Sequence, residues 1–164
     1  MANKDFVYGI AKVTFGDFVI GYIEKGSWDW GGKKPEAVDV EAEQVPDAPV
    51  LTLLQKNGQI EPTFNIIQLN YENIQKVLGG TCVGTKPNYT GWNAPSALVE
   101  NTGKCIIEFV SGQTLTIPAA TLLGNLGGKL TLTEVSKLEC QLKVNKPAAG
   151  APYTITNTTA SSGS

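Results

Sequence analysis

The sequence predicts a mainly β protein: an antiparallel β-sandwich or partly open barrel with one flanking α-helix near residues 70–78. Three observations predict it. Most periodic segments alternate apolar and polar residues with the period of two that a half-buried strand requires. The chain carries 18 Gly and 9 Pro, ample turn formers for many short strands. Only one segment changes rhythm, at Asn70, where apolar residues recur at helical spacing.

That segment is Ile60–Gly80, IEPTFNIIQLNYENIQKVLGG. Ile60, Phe64 and Ile66 fall on one face of a strand, and Glu61, Thr63 and Asn65 on the other. Asn70 is a good N-cap, since its side-chain oxygen can accept from an unpaired helix N–H. Tyr71, Ile74, Val77 and Leu78 form one apolar stripe and are the expected helix-packing residues. Gly79-Gly80 ends the helix, because glycine tolerates the left-handed C-terminal position.

Upstream, Phe6–Phe15 and Phe18–Lys25 read as a hairpin around Gly16-Asp17, apolar on both faces, so it must be covered twice. Ser27–Pro35, SWDWGGKKP, is a loop. Its Trp28 and Trp30 either contact another subunit or fold back over the end of their own sheet. Ala37–Glu43 alternates: Val38, Val40 and Ala42 on one face, Asp39, Glu41 and Glu43 on the other. The acids form either an ordinary solvated strand face or a functional acidic stripe. Pro49–Leu54 is a further short strand, and Asn57-Gly58 signals a hairpin into Ile60.

Downstream, Thr81–Pro95 reads as the longest irregular stretch and holds Trp92. Lys104–Val110 and Thr114–Ile117 form a second hairpin around Ser111-Gly112-Gln113. Pro118–Leu126 is ambiguous between a helical turn and irregular chain. Leu138–Val144 is a clean strand with Leu138, Cys140, Leu142 and Val144 facing inward. A short strand follows near Tyr153–Ile155. Residues 1–159 read as one domain and 160–164 as a flexible tail.

Composition narrows the function. All 13 basic residues are lysine, with no histidine, and net charge is −2. Sequence-specific DNA readers normally present clustered basic residues with arginines, so that class is not expected. Without histidine, the Ser-His, Cys-His and His-rich zinc constellations are impossible in this chain. Cys82, Cys105 and Cys140 form no CxxC pair; Cys105 and Cys140 lie in apolar strand patterns and read as buried thiols. No catalytic residue, cofactor or metal site is expected, and the chain is not expected to be an enzyme. No apolar run reaches the ~20 residues of a membrane span, and MANKDFVYG lacks an apolar signal core.

The opening YGIAKVTFGDFVIGYIEKGS resembles the first hairpin of phage tail tube (major tail) proteins, with its Tyr-Gly strand, Phe-Gly turn and Ile-Gly-Tyr strand. AVDVEAEQVPDAP, IEPTFNIIQL, NYENIQKVLGG and LECQLKV follow in the order that family has. The loop SWDWGGKKP and Cys82–Pro95 fall outside the resemblance. It implies a tail-tube-like β domain that assembles into hexameric rings and stacks into the conduit for DNA ejection. The implied partners are further copies of the chain, other tail proteins and DNA that passes without specific binding, with no membrane. The implied location is the virion tail, assembled in the bacterial host cytoplasm. In that setting Asp39, Glu41 and Glu43 would face the lumen and repel phosphates, and Trp28, Trp30 and Trp92 would contact neighbouring subunits or rings. A tail terminator, or a tube ring of a contractile injection or type VI secretion system, would share this fold. A carbohydrate-binding sandwich using the three tryptophans is the alternative of a different class.

Overall fold

A computed structural model describes residues 5–158. Strand accounts for 49% of the described residues and helix for 5%, so the mainly β expectation holds, with a β-sandwich-like antiparallel fold and no closed barrel among those residues. The main sheet has the order β2-β1-β8-β9-β10-β5, and β11 pairs β9 off that path. Its strands are β1 (Ile10–Phe15), β2 (Phe18–Val19), β5 (Thr63–Ile66), β8 (Asn101–Phe109), β9 (Gln113–Gly127), β10 (Lys137–Val144) and β11 (Thr154–Asn157). Two ribbons stand apart: β3 (Glu36–Val40) with β4 (Leu51–Lys56), and β6 (Thr81–Thr85) with β7 (Asn88–Asn93).

Alternation places the core. Val13, Cys105, Ile107, Leu115, Ile117, Leu138 and Leu142 are at most 1% exposed and all point to one side of the curled sheet. In β9 the buried positions run Gln113, Leu115, Ile117 and then Ala120, Leu122. Odd numbers give way to even because a bulge intervenes: Gly103 and Cys105 of β8 face Ala120 and Ile117, so β9 has one extra residue. Pro118, which has no N–H for the ladder, sits at that irregularity. The ambiguous Pro118–Leu126 stretch is therefore strand.

The helix α1 (Tyr71–Leu78) forms as expected. The Asn70 side chain accepts from the Asn73 backbone N–H at 2.8 Å. Gly79 at the C-cap has φ 81°, and its N–H donates to the Gln75 carbonyl. Ile74 and Val77 are buried, and Leu78 packs at the margin of the core. Val77 lies directly over Gly124 of β9, where any Cβ would collide with it. Tyr71 departs from the expectation: it is 41% exposed, at the outer edge of the stripe. Asn73 takes the buried place instead, its Nδ2 donating to the Gln68 carbonyl at 2.9 Å.

Three further expectations are corrected. Thr81–Pro95 contains the β6–β7 hairpin, turning at Lys86-Pro87, rather than irregular chain. Its Gly- and Thr-rich strands bury no residue fully, so they carry no clear inside/outside alternation to read. Asn57-Gly58 does not join paired strands: β4 pairs β3, while β5 pairs β10. Gly58 is instead squeezed against the Lys33 carbonyl, where Gln59 and Lys33 exchange backbone hydrogen bonds. The first hairpin is also shorter than Phe18–Lys25 suggested. After Ile20, whose N–H donates to the Val13 carbonyl, the chain leaves β1 and crosses to β5. The tail at 160–164 lies outside the described residues.

Because Ile74 is buried and Tyr71 is not, their substitutions should separate. Ile74→Asp places an unpaired carboxylate in the core and should cost about 3 kcal/mol or more. Tyr71→Ala should stay within about 1 kcal/mol. Urea unfolding of both variants checks the assignment of the helix faces.

Candidate assembly surface

The β3–β4 ribbon stands out in solvent: every residue of both strands is exposed. The register sets Val38 opposite Leu53 and Val40 opposite Leu51. Directly opposed residues share a face, so these four make one apolar face in solvent, each 38–52% exposed. The other face holds Ala37 opposite Leu54 and Asp39 opposite Thr52, whose hydroxyl donates to the Asp39 carboxylate at 2.9 Å. Glu36 and Lys56 make a long ion pair of 3.9 Å where the ribbon begins.

The acidic stripe is only partly a strand. Asp39 lies in β3, but β3 stops at Val40. Glu41 and Glu43 belong to the reversal that follows, where Val45 donates to the Ala42 carbonyl at 3.0 Å and Val50 to the Val40 carbonyl at 2.8 Å. The three carboxylates therefore do not project from one strand face; two of them decorate the ribbon's tip with Asp47. Alternation alone missed this because the end of β3 is set by a reversal closed across the chain, the Val50 N–H donating to the Val40 carbonyl, and not by a break in the local pattern. Residues 36–56 hold five acids and one lysine, net −4, against −2 for the whole chain. The ribbon is thus an acidic arm on a body that is net positive.

The tryptophans sit elsewhere. Trp28 stacks on Phe64 with ring centroids 5.8 Å apart, and Trp30 meets Trp28 edge-on at 5.7 Å and Phe109 at 5.8 Å. Both are half-buried against the core. They fold back over the end of their own sheet, the second of the two arrangements expected for them. Two contacts hold the loop there. Asp29 and Thr63 exchange backbone hydrogen bonds at 2.9 Å, and Gly31, at φ 57°, fits against the Glu61 carbonyl where a Cβ would collide. Trp92 is half-buried too, and its Nε1 donates to the Gly79 carbonyl at 2.8 Å. With Asn101, which donates to the Val77 carbonyl at 2.8 Å, it satisfies the end of α1.

A run of ion pairs ties the loop to the sheet. Lys137 donates to Glu24 at 2.7 Å, which holds the Glu24 carboxyl below its ordinary 4.5 and the Lys137 ammonium above its ordinary 10.5. Glu61 is likewise lowered, chiefly by Lys143 at 3.0 Å. The buried Cys105 and Cys140 thiols are pushed up to about 12 by burial, far from thiolate reactivity. Cys82 is half-buried, near the Tyr71 carbonyl. Among the described residues no group of three His, Cys, Asp or Glu could hold a metal ion. No helix among them is long and apolar enough to cross a membrane.

No protein-family model matches the chain, and a search of curated proteins found no match.

The packing of Trp28 makes a definite expectation. Trp28→Ala should lose about 3 kcal/mol in guanidinium unfolding, because the stacked ring leaves a cavity beside Phe64. An unchanged midpoint would mean that the ring serves something other than its own core.

Proposed function

We propose that this protein is a structural subunit that self-assembles into stacked rings, forming a tail-tube-like conduit for viral DNA. One observation carries the reading: the β3–β4 ribbon of the described structure presents an apolar face whose four residues stay 38–52% exposed. A two-stranded hairpin is only marginally stable in water by itself. Contiguous exposed apolar residues rimmed by polar ones mark interaction surfaces. A ribbon of this kind finds its missing layer on another subunit. The element order favours the same reading, since the hairpin, ribbon, β5, α1 and β10 follow each other as in the family that the sequence resembles.

The acidic arm suits a conduit. Ring symmetry multiplies Asp39, Glu41 and Glu43 into bands of negative charge, and like charge keeps a polyanion from adhering to the wall. The composition also suits a protein that neither reads nor grips DNA. The tryptophan platform of a carbohydrate-binding module fits less well, because Trp28 and Trp30 pack inward and the indole N–H of Trp92 is engaged.

Electron microscopy of the concentrated protein tests the assembly. Rings or tubes are expected, and Val38→Asp with Leu53→Asp should abolish them while leaving the melting temperature of the subunit within a few degrees. Monodisperse wild-type monomers at every concentration would overturn the proposal. Replacing Asp39, Glu41 and Glu43 with lysine should make assembled tubes retain DNA in a salt-sensitive manner and impair genome ejection. Normal ejection from particles carrying that variant would remove the acids from the lumen.

A further inference from the structure

The first hairpin is paired only near its turn. Thr14 and Phe15 oppose Val19 and Phe18, and the Ile20 N–H reaches the Val13 carbonyl. Beyond that the two chains part. Toward the N-terminus the first chain stays on β8, through Gly9 with Val110 and Tyr8 with Ser111. The second crosses to β5, where Tyr22 accepts from Ile67 and Glu24 donates to Asn65. Backbone groups alternate in direction along a strand, so those of Ile23, between Tyr22 and Glu24, point away from β5. A slot opens between the two diverging chains.

The slot is two adjoining cavities of about 550 and 560 Å³ that share Ile10 and Ile23. Val7, Trp28, Trp30 and Phe109 line the larger one. Trp28 Nε1 is buried there without a hydrogen-bond partner. A buried indole N–H normally has an acceptor, so this one marks an incompletely satisfied wall beside the slot.

We infer that the slot receives the β3–β4 ribbon of a second copy of this chain, the free edge of β3 continuing the ladder from Ile23 and Val38 and Val40 covering Trp28, Trp30 and Phe109. The inference rests on the self-assembly proposed above and names the surface that completes it. Two unpaired strand edges facing each other are built for an extended chain rather than for a compact ligand. Charge selects which one. The slot's two acids are already paired outside it, Glu24 with Lys137 and Glu72 with Lys86. Lys12 and Lys25 line it as well, and neither is among the ion-paired lysines of the described structure. The slot therefore offers two lysines outside those ion pairs to a ribbon segment that carries −4.

Cysteine pairing in the assembled full-length protein tests this. In a Cys82→Ser background, Val40→Cys together with Lys25→Cys should give a ladder of disulfide-linked oligomers on non-reducing gels. Val40→Cys with Lys146→Cys, outside the slot, should give none. Charge gives a second readout: Lys12→Glu with Lys25→Glu should raise the concentration needed for assembly about tenfold. Assembly of the Val40→Cys, Lys25→Cys protein without a ladder would overturn the slot while leaving self-assembly intact. A wild-type protein that forms no assemblies at all would overturn both.

Discussion

The structure depends on β9. This 15-residue strand pairs with β8, β10 and β11, so the ladder from one side of the sheet to the other passes through it. A strand of that length would carry a flat, continuous register if left regular. The extra residue at Pro118-Ala119 breaks it into two segments that bury opposite parities. A bulge bends its strand and strengthens the local twist. The bend lets Leu115 and Ile117 on one side of it, and Ala120 and Leu122 on the other, face a single core. The position of α1 follows, because Gly124 beyond the bulge is where Val77 docks.

The opposite edge of the sheet is finished differently. No complete strand covers β5 there. The chain from Tyr22 to Lys33 does so with isolated bridges, at Ile23 with Ile66, Asp29 with Thr63 and Lys33 with Gln59. Such spaced bonds hold an edge loosely, and the aromatic cluster of Trp28, Trp30, Phe64 and Phe109 supplies the apolar burial that the ladder lacks. The same crossing from β1 to β5 leaves the hairpin splayed. One route of the chain thus closes the core and opens the slot that the proposed assembly would use.

The ribbon is the converse case. Its two strands satisfy each other's backbone but leave Val38, Val40, Leu51 and Leu53 in water. A fold whose core is already filled by Phe64, Ile107, Leu115 and Leu142 has no need of them. Their apolar character becomes explicable when another subunit is counted as part of the environment, and that is the physical content of the proposed function.

Where one face is buried and the period unbroken, the sequence by itself determined the outcome. Leu138, Cys140 and Leu142, the Phe64–Ile66 pair, and α1 with its Asn70 and Gly79 caps were all legible, since each is announced by a local pattern, an unbroken period of two or a cap beside a helical stripe. The tertiary structure decided what alternation cannot encode. It chose β3 rather than β5 as the partner of β4, and it turned the tryptophans inward. It ended the acidic stripe at Val40 and made strand of Pro118–Leu126 and of much of Thr81–Pro95. Each of these is a choice of partner across the chain. A strand's pattern states which face it must bury, while the neighbour against which it does so is settled by the packing of the whole core.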